Sequence, residues 1–554
     1  MTMHWVTYLI GVLWSVMIRV HKMKTTTIVL LISLCSASYT LFAKGVDVEN
    51  ATIALSLTTE PPNLDSTLST DTVSGFVLDL VTEGLVVSNR KGGVDPGMAE
   101  RWEINDLEVT FYLREAFWSD GKPVTASDFV YSFKRLVDPK TGAGGSTVFA
   151  YLIENAQDIL DGKKPVDSLA VTAVSDREFR VRMSQPAPYF LTVLSSREYR
   201  PLRRDFIEAQ GGRYGADAKN LLFNGPFILH NWVHSSSLEL RKNPDYWDRE
   251  NIRLKAINFG YITSDMRSLL NLYKSEELAA LRLNEEILAD TLETKLRIRK
   301  APTNCLSWIM LNLKPGSPMT NLKLRQAIRL ALDRETYVYK IVGIPGTRLV
   351  DSIFTDRMRG ETESFQKEYP AQAIEYNVGK ARILLSEAKK EMGIEQFPPL
   401  VMLVNETRQI EAEFVQSQLI NALDLDIKVD KQTFKQSLVK FNNGEFDLAR
   451  SGFCAGTLTD PVFFASIFTS TSPFNYMQFD YEHYDALFKK TSSTADQSVR
   501  MRSFGEMQQI LYDQVPIIPT QESAWVYVQD NRLTKVVRYP TVIFSRARVR
   551  GVSN

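Results

Sequence analysis

The sequence predicts an α/β protein of two or three interwoven domains, and three observations carry that reading. Runs with period-two alternation recur along the 554 residues, runs with helical period lie between them, and no repeat, low-complexity tract or long Pro/Ser linker divides them into modules. In the segment 99–139, Val109, Phe111 and Leu113 alternate with Thr110, Tyr112 and Arg114, the pattern of a half-buried strand. Asp120-Gly121 follows as a tight-turn signal. Thr125 or Ser127 then caps a helix that carries Phe129, Val130, Phe133 and Leu136. Further on, Ser237–Arg241 and Leu400–Val404 alternate as strands. Leu324–Val342 places Ala327, Ile328, Ala331, Leu332, Val338 and Ile341 at helical spacing.

A chain of this length exceeds one hydrophobic core. With 44% hydrophobic and 23% charged residues it has the composition of a packed globular protein. Its 65 basic residues balance 65 acidic ones and form no basic run, so no field draws it onto nucleic acid or anionic lipid. Met23-Lys24, the apolar run Ile28–Leu34 and the small residues Ser36-Ala37-Ser38 and Ala43 have the layout of a secretory signal. Residues 1–22 add another apolar run, Trp5–Ile18, read either as an uncleaved anchor or as an extension upstream of a true start at Met23. The completeness of the signal from Met23 favours the second reading, and residues 1–43 are assigned as signal and extension. Cys35 lies inside that signal, with Leu34 where a lipoprotein site wants a small residue. Cys305 and Cys454 remain in the exported chain, as one bridge or as two separate buried thiols.

No catalytic constellation stands out. His230 and His234 are four apart, but Asn231-Trp232-Val233 between them reads as a strand edge or turn, with no glutamate placed as in a zinc helix. Phosphate-cradling glycine loops, a G-x-S-x-G elbow and metal-spaced cysteines are missing from the sequence, and Glu285-Glu286 reads as exposed helix charge. The expectation is a non-enzyme with no cofactor and no metal.

The order of residues over 99–139 resembles the signature region of the family 5 extracellular solute-binding proteins, which serve ABC importers of peptides and nickel. Further family-like passages are Thr82-Glu83-Gly84-Leu85, Gln185–Phe190, Asn224-Gly225-Pro226-Phe227, Asn243–Trp247, Leu324–Ile328 with Leu332-Asp333-Arg334, Phe446–Cys454 and Thr459-Asp460-Pro461. The resemblance, strongest to the oligopeptide-binding members, implies a bilobal periplasmic-binding-protein fold (class C, type II-like) with an extra domain inserted in the first lobe. Carried over, lobe I is 45–95, 216–304 and 522–554, the extra domain 96–215 and lobe II 305–521. The resemblance also implies a Cys305–Cys454 disulfide. The implied role is a periplasmic monomer that binds an oligopeptide or related small ligand and delivers it to permease subunits in the inner membrane. The alternatives are the same carrier role for a non-peptide or modified-peptide solute, and an exported hydrolase or folding helper on this scaffold.

Peptide carriage requires a site that satisfies an extended backbone and two charged ends. Oligopeptide-binding members hold the amino end with an aspartate shortly after the second cysteine. Here Phe453 and Cys454 lead to Gly456 or Thr457 at that place, so the aspartate is missing. Asp460 belongs by alignment to the following Asp-Pro step, where a turn or cap role is usual. Arg450 matches a chamber arginine, whereas Phe441 replaces the second arginine and Phe434 the pocket tryptophan. Arg408 lies near a family histidine, and Glu83 matches a ligand-side glutamate with a structural salt bridge as its alternative. Trp308 and Tyr527 line the chamber or belong to the core. The expectation is tolerance of ligands with a blocked or absent amino terminus, with a preference for an anionic group.

Overall fold

The computed structural model describes residues 44–551 apart from 90–91, 144–149, 457 and 539–541; the expected signal lies outside the described residues. Gly45 begins the unit that holds every element below. Strands β1 (Val46–Asp47) and β2 (Thr52–Leu57) start a first sheet. Helix α1 (Thr72–Val81) follows, its first turn capped by Asp71, whose carboxylate accepts from the N–H groups of Val73 and Ser74. A hairpin, β3 (Val86–Ser88) with β4 (Val94–Pro96), leads into a separate sheet of β5 (Ala99–Asn105) and β6 (Glu108–Leu113). Helix α2 (Ala126–Val137) packs on that sheet, which β7 (Val171–Ser175) and β8 (Glu178–Arg182) complete in the order β5-β6-β8-β7.

The strand–turn–helix expected from 109–136 is therefore present, with Gly121 at φ +82° in the turn. Thr125 is the N-cap, and Asp128 accepts from its N–H at 2.9 Å and from the Trp118 indole at 3.1 Å. The alternating positions Val109, Phe111 and Leu113 are buried, as are Phe129, Phe133 and Leu136 from the helix. Phe179 of β8 joins the two layers, its ring centroid 5.6 Å from Phe129 and 5.2 Å from Phe133. Truncating any of these rings to Ala would cost about 3–5 kcal/mol.

The chain then returns to the first sheet with β9 (Phe227–Val233), β10 (Ser237–Lys242) and β11 (Ala256–Ile262), giving five strands in the order β1-β2-β11-β10-β9. The second large sheet begins with β12 (Ala280–Leu283), helix α3 (Glu285–Leu292) and the long strand β13 (Arg299–Leu311). It continues through α4 (Leu322–Ala331), β14 (Arg348–Leu349), α5 (Val378–Met392), β15 (Leu400–Asn405), α6 (Gln409–Leu423), β16 (Ile427–Gln432) and β17 (Leu448–Cys454). Helix α7 (Gln497–Gln514) leads to β18 (Ile517–Gln529), and the strand order is β12-β18-β13-β17-β15-β16 with β14 on β18. Apolar residues of β13, α4, β15 and α6, among them Leu311, Ile328, Met402 and Val415, form the core of this half.

Two features of this sheet matter below. β13 and β18 pair along most of their length, but Pro302 faces Ala524 and Leu306 faces Glu522, so β13 carries extra residues at that point and the ladder breaks. β13 pairs on its other side with β17, and the first registered pair is Cys305 with Cys454. These cysteines are disulfide-bonded, their Cα atoms 3.9 Å apart.

The helix expected over 324–342 is interrupted. Leu332 is extended (φ −96°, ψ 116°), and Asp333 caps a new turn by accepting from the Thr336 N–H. The break lets the buried Arg334 guanidinium reach the carbonyls of Val350 and Pro519, a tertiary demand that outweighs the continuous apolar spacing.

Candidate ligand cavity

A cavity of about 1060 Å³ lies where the two halves meet. One wall is the turn after α1 with Glu83, the β3–β4 hairpin with Asp95, and the segment Val193–Arg200 of the inserted sheet's domain. The opposing wall is the main chain after β17, Cys454 to Gly456 and Leu458, with Phe463 and Phe474. A C-terminal stretch with Val537, Ile543 and Arg546 closes one side. The two walls touch at one edge, where the Thr459 hydroxyl donates to the Gly92 carbonyl at 2.7 Å.

Of the residues expected to meet a ligand, Glu83, Cys454 and Gly456 line this cavity. Gly456 sits at φ +56°, and a Cβ built on it would meet no atom within 4 Å, so the missing aspartate leaves real space. Glu83 is fully employed already. Its oxygens accept from the Tyr246 hydroxyl at 2.5 Å and the Trp247 indole at 2.6 Å, and its main chain is bracketed by Asn224. Burial raises its pKa, with those two hydrogen bonds opposing. Glu83 thus lines the cavity with both carboxylate oxygens engaged by neutral donors rather than by a salt bridge.

Arg450 is not the free cation that the sequence led us to expect. Its Nε lies 3.1 Å from the Glu411 carboxylate, which also accepts from the Tyr337 hydroxyl at 2.5 Å and from Arg408 at 3.1 Å. Burial would lower the Arg450 pKa, but Glu411 and Tyr337 outweigh it and raise it. Arg408, the second expected cation, is committed to Glu411 and to Glu285 of α3. The physical reason is compensation: a buried carboxylate recruits the nearest guanidinium before any ligand arrives.

The expected aromatics are mostly wall filling. Trp308 is buried and stacks on Phe453 at 5.9 Å, and Phe453 in turn meets Phe474 edge-on at 5.4 Å. Only Phe474 of these three reaches the cavity lining. Tyr527 lies under the Arg538 guanidinium, 4.0 Å from its ring centre, away from the lining. Phe434 begins the helix Phe434–Asn443; its side chain lies outside the described residues, as does Thr457. Asp460 accepts from the Val462 N–H, as its cap role predicts, and is also bound through both oxygens by the buried Arg500, at 3.1 and 2.9 Å. His234 lies beyond β9 between Glu60 and Asp217, 2.6 and 3.1 Å from their oxygens. Among the described residues no His/Cys/Asp/Glu group is spaced to hold a metal, and no helix is long and apolar enough to cross a membrane.

Asp95 and Arg197 are among the cavity residues not anticipated from the sequence. Neither sits in a recognisable motif, so no sequence signal marks them.

Two sheet-based halves, an inserted domain and a cavity between them define a bilobal solute-binding protein, and the chain belongs to the bacterial extracellular solute-binding proteins, family 5, whose model matches residues 93–475. It is 32% identical to the periplasmic oligopeptide-binding protein OppA of Salmonella typhimurium over 79% of this chain and 80% of that one. It is 29% identical to the dipeptide-binding protein DppE of Bacillus subtilis, over 87% and 88% of the two chains. Among solved structures, Listeria monocytogenes OppA bound to peptide superposes with a TM-score of 0.73 at 28% identity, covering 90% of this chain and 99% of that one.

Proposed function

We propose that this protein is the periplasmic peptide-binding component of an ABC importer, holding an oligopeptide-like ligand between its lobes and handing it to permease subunits in the inner membrane. The observation that carries this reading is the cavity itself. Its volume, about 1060 Å³, suits a short peptide, and its lining joins main chain after β17 to apolar side chains such as Phe463 and Phe474. The peptide-binding relatives, periplasmic by name in the Salmonella case, support the ligand class and the compartment.

The lobe borders that the family resemblance implies, 304/305 and 521/522, fall inside β13 and β18, beside the break in their pairing. We assign the hinge to that break, because unpaired strand residues absorb a rotation that a continuous ladder resists. Native mass spectrometry of protein purified without added ligand tests the function. Co-purifying peptides of mixed mass are expected; a single non-peptide mass would replace this reading with carriage of another solute.

A further inference from the structure

We propose that the two ends of the ligand are held by Asp95 and Arg197, both on the first-lobe side, so that the protein selects short peptides with a free amine and a free carboxylate. This rests on the peptide-carrier reading and names the charges that read the peptide's ends.

Most described charges around the cavity already have a partner. Glu83 is consumed by Tyr246 and Trp247, and Asp79 by Arg200 at 2.5 Å. Arg546 is paired with Asp248. Glu198 bonds its own backbone N–H, and its other oxygen is sealed from solvent, so it offers a ligand nothing. Asp95 and Arg197 remain. The Asp95 side chain is exposed to the cavity and accepts one hydrogen bond, from the Asn89 amide at 2.9 Å; no described cation lies within ion-pair distance. Arg197 donates one hydrogen bond, to the Asp71 carbonyl at 3.0 Å, and no described carboxylate lies within ion-pair distance of its guanidinium. Among the described residues, this acid and this base face the same cavity with no counter-ion within ion-pair distance, and a peptide zwitterion supplies what each lacks.

The expected second-lobe charges cannot take these roles, because Arg450 and Arg408 are committed to Glu411 and position 456 is glycine. End recognition therefore shifts to one wall. A peptide can engage both charges before the lobes close, and the second lobe then adds main-chain and apolar contacts.

The test is calorimetry of protein stripped of endogenous ligand, with three probes: trialanine, its N-acetyl form and its C-terminal amide. The unmodified protein is expected to bind trialanine at least tenfold more tightly than either blocked form. Asp95→Asn should abolish the discrimination against the acetyl form and keep that against the amide, and Arg197→Gln should do the reverse. Arg197→Lys, which keeps the charge, should restore most of the discrimination against the amide; this separates charge recognition from loss of the bond to Asp71. Either neutralising variant keeping its discrimination intact, or unmodified protein that binds all three probes equally, overturns the inference alone. Unmodified protein that binds no peptide overturns the carrier reading and this inference with it.

Discussion

The guanidinium of Arg450 lies 3.1 Å from the carboxylate of Glu411, joining β17 to α6 beneath the second lobe's sheet. Both side chains are largely sealed from water, 15% and 6% exposed. Arg450→Met strands that carboxylate with Arg408 and Tyr337 alone, and should cost about 2–3 kcal/mol in urea unfolding, below the usual 3–5 kcal/mol for a wholly unpaired buried ion. Peptide affinity of the folded variant should stay within about threefold, the factor that 0.7 kcal/mol represents. A large loss of affinity at unchanged stability would return Arg450 to the ligand.

The same ion pair sets an acid limb of stability. Burial raises the Glu411 pKa, but Arg450 and Arg408 prevail and hold it below the usual range. Its contribution is complete above the unfolded carboxylate value of about 4.3 and is lost as pH falls through the lower folded value. Glu411→Gln should flatten the melting-temperature curve below about pH 4.

His234 works in the opposite direction. Hydrogen bonds with Asp217 and then Glu60 raise its pKa. Its stabilisation is present below the unfolded value of about 6.5 and disappears as pH rises through the folded value. The side chain is half exposed, so the effect is small, and His234→Asn should remove the decline in melting temperature between about pH 6 and 8.

Reduction of the Cys305–Cys454 bridge opens a loop spanning 149 residues. Loop closure of that length is worth about 5 kcal/mol in the chain-entropy model, and the double Cys→Ser variant should lose about 2–5 kcal/mol. Chemical denaturation with and without reductant measures it.

Gly456→Asp restores the acid that the family resemblance led us to expect. Its φ of +56° costs an L-residue about 1–2 kcal/mol, and Asp is among the residues that accept it best. The variant should fold with that loss and should favour free-amine over acetylated peptides several-fold more than the unmodified protein does, as calorimetry would report.

Much of the architecture was legible because it rests on local periodicity. The Val109–Leu113 strand, the Asp120-Gly121 turn and the helix capped by Thr125 follow from residues within reach of each other. The interruption at Leu332-Asp333 was hidden because its cause, the carbonyl of Pro519, is far away in sequence. The site divided the same way. Gly456 could be read from its distance to Cys454, but the commitment of Arg450 depends on Glu411, 39 residues upstream and on another element. Asp95 and Arg197 stand out only because no described counter-ion lies within ion-pair distance of either, and that is a property of the folded cavity.

β18 lies inside the seven-stranded sheet, between the edge strand β12 and β13, yet it is made almost last. A growing chain therefore carries β12 without its β18 partner until roughly 240 further residues have been added. Sheet completion is a late, long-range event, which slows folding and keeps the emerging polypeptide open. The sequence order of one interior strand thus postpones closure of the second large sheet until nearly the whole chain exists.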